Sequence, residues 1–175
     1  MAKTKITPKM KRDNLLIQKE VQRVTEQNYK AIAKVFVDFG NDTEKQFAKI
    51  TMQDLKWDVL KSRLDIVLST NSKRSTKSFV NFLNKLFDFK LKTDRIEKVE
   101  NETVNQYAKE LAKKVTYVTE TTKNQIASLI DNNKGLNTND LAKLINEKFV
   151  DISKGRARTI ARTESASLFS KSNRS

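Results

Sequence analysis

The chain contains no cysteine and no histidine. Without them there is no disulfide framework, no Cys/His zinc site, no thiol nucleophile and no Ser-His-Asp relay. Glycine and proline are nearly as scarce, with only Gly40, Gly135, Gly155 and Pro8 in 175 residues. A sandwich or barrel needs many more turn residues than that. Three isolated glycines also cannot write GxGxxG or a P-loop, so no glycine-rich phosphate cradle is present. No apolar run is long enough to span a bilayer, and the opening MAKTKITPKMKR never reaches the apolar stretch of a signal peptide. A soluble protein made in a reducing cytoplasm is the expectation.

What is present is positive charge: 35 Lys plus Arg against 21 Asp plus Glu give +14 and a pI of about 9.9. That balance favours polyanionic partners and says nothing about fold. The excess sits at the two ends. Residues 1–12 carry +5 with no acid, residues 154–175 carry +5 around the single acid Glu164, and the long middle carries only +4.

The pattern predicts an all-α, elongated protein with long helices, a basic flexible N-terminal arm over 1–12 and a short C-terminal helix. Two helical regions, 13–92 and 93–175, follow the arm. A helix capped by Asp13 or Asn14 carries Ile17, Val24 and Ala31 at heptad spacing beside Val21, Asn28 and Val35, and is expected to stop near Phe39 and Gly40. An ordinary amphipathic helix is favoured over a true coiled coil, because the repeat is short. Asp42 to Leu68 reads as one helix, or two that meet near Thr51, with Phe47, Ile50, Leu55, Leu60, Leu64 and Val67 inward and Trp57 as an anchor.

The polar STNSKRSTKS, residues 69–78, is expected to be a loop or subdomain boundary, with Lys73, Arg74 and Lys77 solvated. In FVNFLNKLFDFKL most phenylalanines are expected in the core, with Val80, Leu83, Leu86 and Phe87 together at helical spacing, although apolar residues on nearly every side leave a partner-facing surface open. Beyond Lys92 the period changes. Ile96, Tyr107, Val118 and Leu129 recur by eleven, as do Val104, Val115 and Ile126, which predicts a nearly straight helix from about Asp94 to Asp131. The β-branched VTYVTETT could break it. DNNKGLNTND is a turn in which Gly135 takes the left-handed conformation and Thr138 caps the next helix, and Ser153 caps a last one after a break near Val150.

No chemical site emerges. Asp38, Asp42 and Glu44 do not have calcium-loop spacing, Glu97, Glu100 and Glu102 read as solvated, and neither metal nor cofactor is expected. The basic ends supply candidate phosphate contacts at Lys3, Lys5, Lys9, Lys11, Arg12, Arg158, Lys171 and Arg174, which would bind DNA without reading its sequence. Solubility and helix-dipole compensation are the alternative for the C-terminal bases.

One segment stands apart. In RARTIARTESASLF, residues 156–169, Ala157, Ile160, Ala161 and Leu168 form a narrow apolar stripe with Glu164 in its middle. An unpaired carboxylate there would cost several kcal/mol. Its neighbours one turn away on the same helix are not cations, so its partner must lie on another helix, at a helix N-terminus, or on another chain, with an intramolecular partner favoured.

The same residues resemble the signature of the phage Mu F-like minor head proteins: Arg156, Ala157, two variable positions, then Ile160, Ala161, Arg162, Thr163 and Glu164, followed by small residues. A helix, a glycine-containing turn and a short LAKLI helix precede it, so the resemblance spans roughly 105–170. It implies a virion protein of the phage head, made in the bacterial host cytoplasm. Such a protein would act in head morphogenesis near the portal, touch portal and other head proteins and packaged DNA, and could be ejected with it. It implies no enzyme. Homo-oligomerisation is left open. The family's usual Trp- and His-containing continuation is not matched, which implies a short member or a fragment. A basic helical nucleic-acid binder of the host nucleoid or ribosome type is the alternative reading, and an enzyme is disfavoured by the missing histidine and metal motifs.

Overall fold

The computed structural model describes residues 7–47, 55–90 and 93–173, apart from the side chains of Phe47 and Lys109. Over these residues the protein is all-α: four helices, α1 (Pro8–Phe47), α2 (Trp57–Phe87), α3 (Thr93–Asp131) and α4 (Thr138–Ser172). At 1.5 Å per residue the 40 residues of α1 span roughly 60 Å. Neighbouring helices run antiparallel, as cross-contacts between α1 and α2 (Arg23 to Ser78, Asp42 to Arg63) and between α3 and α4 (Glu110 to Lys171, Thr122 to Arg156) establish. The up-down-up-down bundle closes with α1 against α4, its most extensive pairing. The regions 13–92 and 93–175 thus contribute two helices each to one core.

Several expected boundaries move. Helix α1 starts at Pro8, where the fixed φ of proline suits the first turn and the Thr7 hydroxyl accepts from Met10 N–H. Residues 8–12 are therefore helical, while 1–6 lie outside the described residues. Nor does α1 stop at Gly40. It runs on to Phe47, and Gly40 is packed tightly against α4 within it: a Cβ there would lie 2.8 Å from Phe149 Cβ and 2.8 Å from Asn146 Oδ1. The meeting point proposed at Thr51 falls outside the described residues, as do Ile50 and the Phe47 side chain.

The stretch 69–78 is helix, not a loop. Its outer face carries Lys73, Arg74 and Lys77, and its inner face buries Asn71, Ser72, Ser75 and Thr76. Small polar side chains let α2 approach its neighbours, and tertiary contact overrides weak intrinsic propensity. The cost is visible: Asn71 Nδ2 and Thr76 Oγ1 are buried without a hydrogen-bond partner among the described residues. Phe79, Val80 and Leu83 are core, whereas Phe87, expected inward from its spacing, and Phe89 are exposed at the end of α2, where their tilted rings meet at 5.5 Å.

Helix α3 passes unbroken through VTYVTETT because Val115, Val118, Thr119 and Thr122 are buried against the core, and Thr119, Thr121 and Thr122 each donate to the carbonyl four residues back. The eleven-residue pattern holds, with Tyr107, Val115, Val118 and Ile126 buried. At the following turn Asn137 rather than Thr138 is the cap, its side chain accepting from Asp140 N–H, and Gly135 is not left-handed. The end of α3 is closed by Asn133, which donates to Leu129 O.

The C-terminal helix is not short. α4 runs 35 residues without a break, and Ser153, expected as a cap, is buried in mid-helix with its hydroxyl donated to Val150 O. Gly155 also sits inside this helix, exposed, with nothing within 4 Å of where a Cβ would stand. Gly155→Ala is therefore expected to raise stability by about 0.5–1 kcal/mol, since it restricts the unfolded chain and meets no clash. Chemical denaturation with an unchanged m-value checks this.

The core is a long apolar stripe. At one end Phe39, Trp57 and Phe149 pack with ring centroids 5.3 to 6.5 Å apart, and Leu55, Leu60 and Leu64 continue the column as the apolar spacing predicted. At the other end a latch joins α1 to α2. Arg23 donates to Glu20 and to Ser78, and Ser78 donates to Glu20.

Hydrogen bonds from Arg23 hold the Glu20 carboxyl below its ordinary value of 4.5, against burial that pushes it up, and the Ser78 bond adds to the lowering. A carboxyl depressed on folding stabilises above its unfolded pKa and loses that contribution as pH falls through the folded one. The stability gap between the native chain and Glu20→Gln, roughly 1 kcal/mol at neutral pH, is expected to close on acidification below about pH 4.5. Denaturation midpoints across a pH series read this directly.

Candidate functional site

The misplaced carboxylate has its partner inside the chain. Glu164, 6% exposed, accepts from Lys114 Nζ of α3 at 3.2 Å and from the Tyr107 hydroxyl. Burial first, then the charge and hydrogen bond of Glu164, push the Tyr107 hydroxyl pKa far up, so it is a neutral donor. Lys114 Nζ lies 4.8 Å from the centre of the Tyr107 ring and Lys171 Nζ lies 5.8 Å from it. Glu110 completes the set, 3.4 Å from Lys114 and 3.0 Å from Lys171. Two cations and two carboxylates thus neutralise each other around one tyrosine and tie α3 to α4.

Sequence reasoning missed Lys114, yet a signal existed. Seven residues after Tyr107 and three after Leu111, Lys114 lies on the apolar stripe of α3, as Glu164 does on that of α4. Each stripe has one charge out of place, and they meet. Beside them the polar Asn28 of the α1 seam donates to Ser75 of α2 and to Ser165 of α4, both at 3.1 Å. One polar layer in mid-bundle therefore links all four helices, a device that penalises sliding of one helix past another.

The signature divides by face. Ala157 and Ala161 are fully buried in the core, and Ile160 packs half-buried on it. Arg156 is not free: half-buried, it donates from Nη1 to Thr122 Oγ1 at 2.9 Å, and burial lowers its pKa. Arg158 stacks over Tyr29 of α1 at 4.8 Å, an exposed cation held by a ring. Arg162 and Thr163 are exposed.

Among the candidate phosphate contacts, Lys9, Lys11 and Arg12 are exposed on the first turns of α1, and Arg12 is 4.0 Å from Asp13. Lys171 is engaged with Glu110 and does not offer a free charge. Lys3, Lys5 and Arg174 lie outside the described residues.

Of the acids weighed as metal ligands, Asp38 pairs with Lys34, Asp42 with Arg63 and Glu44 with Asn146, all within or from α1. Glu97 and Glu102 are exposed as expected, but Glu100 is half-buried and burial raises its pKa. No group of three acidic side chains placed to hold a metal occurs among the described residues. No helix among them is long and apolar enough to cross a membrane.

The antiparallel pairing brings the basic start of α1 to the same end of the bundle as the end of α4. That end also carries five of the eight exposed large hydrophobic residues: Met10, Leu15, Leu16, Phe87 and Phe89. Met10 continues the stripe of Ile17 and Val24 beyond the reach of the other helices, so it finds no core to enter. That end of the bundle is thus both cationic and partly apolar. No protein-family model, no curated protein and no solved structure matches the chain.

Proposed function

We propose that the chain is a minor head protein of a phage, acting in head morphogenesis near the portal and contacting head proteins and packaged DNA. The observation that carries this reading is the segment RA-x-x-IARTE on α4. In the bundle it acts as a structural clasp, with Ala157 and Ala161 buried in the core and Glu164 bound to α3. The basic, partly apolar end of the bundle supports contact with both DNA and protein. Mass spectrometry of purified, DNA-filled virions from cells that make the chain is expected to detect it at low copy. Its absence from virions, with recovery in the nucleoid or ribosome fraction instead, would favour a host nucleic-acid binder.

DNA contact is measurable separately. Affinity for duplex DNA is expected to fall steeply with salt, and a chain with Lys9, Lys11 and Arg12 all changed to Gln is expected to lose about 3 from the slope of log K against log salt. A slope unchanged by the triple substitution would remove these residues from the interface.

A further inference from the structure

A groove of about 620 Å³ runs between α1 and α4 on the side of the bundle, from Tyr29 and Arg158 towards Ile17 and Phe169 near the basic end. Its walls are two helices lying side by side. Val21 and Tyr29 line one wall, Ala166 and Phe169 the other, and Arg158 and Arg162 stand at its inner end. Ala166 keeps the floor low, so the groove is a trough rather than a filled seam. The volume falls within the range of small-molecule pockets, about 300–1,000 Å³, but a channel along two helices has the shape that the ridge of a third helix fills.

We propose that this groove docks an amphipathic helix of a partner protein that carries two carboxylates one turn apart. Charge sets the occupant: the two arginines outnumber Glu26, the one carboxylate of the lining. Arg158 and Arg162 are four residues apart on α4, about 6 Å along the axis, and both are exposed. Neither has an ion-pair partner among the described residues. Arg158 is already held over the Tyr29 ring, which reduces the side-chain entropy lost on binding. Carboxylates at positions i and i+4 of a docked helix would reach both guanidinium groups, and its apolar face would cover Val21, Ala166 and Phe169. A second copy of this chain is the wrong occupant, because two proteins of net charge +14 repel each other. A DNA strand would set phosphates against the Glu26 carboxylate and the apolar Val21 and Phe169 of the walls.

The inference rests on the groove alone, so it stands or falls separately from the head-protein reading. The probe is a labelled, designed amphipathic peptide of about six turns, with leucines at i, i+3, i+4 and i+7 spacing and two glutamates one turn apart. Titrated with the full chain, its fluorescence anisotropy is expected to saturate at one peptide per chain. Binding should weaken at least tenfold when the two glutamates become lysines, or when the chain carries Arg158→Glu with Arg162→Glu.

Ala166→Trp provides the second variant. The position is exposed, so the bundle keeps its helical circular dichroism while the indole fills the groove, and peptide binding should be lost. Absence of saturable binding, equal binding of the lysine peptide, or indifference to Ala166→Trp would each overturn the inference. So would a duplex DNA probe whose affinity, in place of the peptide's, is lost in Ala166→Trp.

Discussion

Gly40→Leu is expected to abolish the cooperative thermal transition of the bundle, and Gly40→Ala to lower stability by about 1 kcal/mol, although alanine is the better helix former. Two effects oppose each other in the alanine variant. Helix propensity favours it by about 1 kcal/mol in a helix interior. Against this, the new Cβ would sit 2.8 Å from Asn146 Oδ1 and 2.8 Å from Phe149 Cβ. The Asn146 oxygen ends a side chain that can turn aside. Phe149 Cβ is fixed to the α4 backbone, so α4 itself must retreat, and overpacking of this kind costs about 1–3 kcal/mol.

The retreat would also loosen Phe149 from Phe39 and Trp57, whose rings lie 5.3 and 6.5 Å from it. Leucine adds three more carbons where one already does not fit. Differential scanning calorimetry reads both variants, the alanine form dropping by about 2–4 °C per kcal/mol in a chain of this size. A stabilised Gly40→Ala would show that α1 and α4 are not in close contact there. The opposite sign expected for Gly155→Ala makes the pair a controlled comparison: same residue type, both inside helices, one against a neighbour and one against solvent.

Lys114→Met is the second large effect. It leaves Glu164 buried with the Tyr107 hydroxyl as its remaining donor, and breaking one side of a buried pair costs about 3 kcal/mol. That is the low end for such pairs, because the Lys114 side chain is 32% exposed and water screens part of the interaction. Glu164→Gln should cost less, about 1–2 kcal/mol, because the amide still accepts from Tyr107 and Lys114 keeps Glu110. Combining Lys114→Met with Glu164→Gln removes both charges of the pair while the amide oxygen still accepts from the buried Tyr107 hydroxyl, and should cost about 2–3 kcal/mol in place of the additive sum of about 4–5 kcal/mol. The double-mutant cycle should therefore give a coupling of about 2 kcal/mol. Additive losses would mean that the two side chains do not act as a pair.

The apolar spacing along α1 and α3 was readable because buried faces must repeat with the helix period. The eleven-residue recurrence of Tyr107 and Val118 marked buried positions for that reason. The polar 69–78 stretch was not readable as helix. Its evident features, Ser, Thr and Asn in succession, describe loops as well as they describe a helix that must approach others closely. Only the presence of Asn28 across from Ser75 decides between them. The break expected before Ser153 failed for a related reason: a serine can cap a helix or bond backward within one, and its neighbours on other helices select which.

For the site, the sequence posed the question and could not answer it. A carboxylate in an apolar stripe states that a partner exists. The partner, Lys114, is 50 positions away, and its nearness is set by how α3 packs on α4. The arginines divide in the same way. Arg156, Arg158 and Arg162 look alike in the sequence, but Thr122 lies beside the first and Tyr29 beneath the second, while the third is left open to solvent.

By itself the sequence determined that this chain is all-helical, that its helices are long and that its charge is strongly positive. Periodicity, scarce turn residues and composition are local or additive properties. Tertiary structure alone decided that α1 and α4 are the most extensively packed pair, that the misplaced Lys114 and Glu164 meet, and that a groove opens beside Arg158 and Arg162. Contacts between residues far apart in the chain depend on which faces of four helices can be buried together at once, and no single helix carries that information.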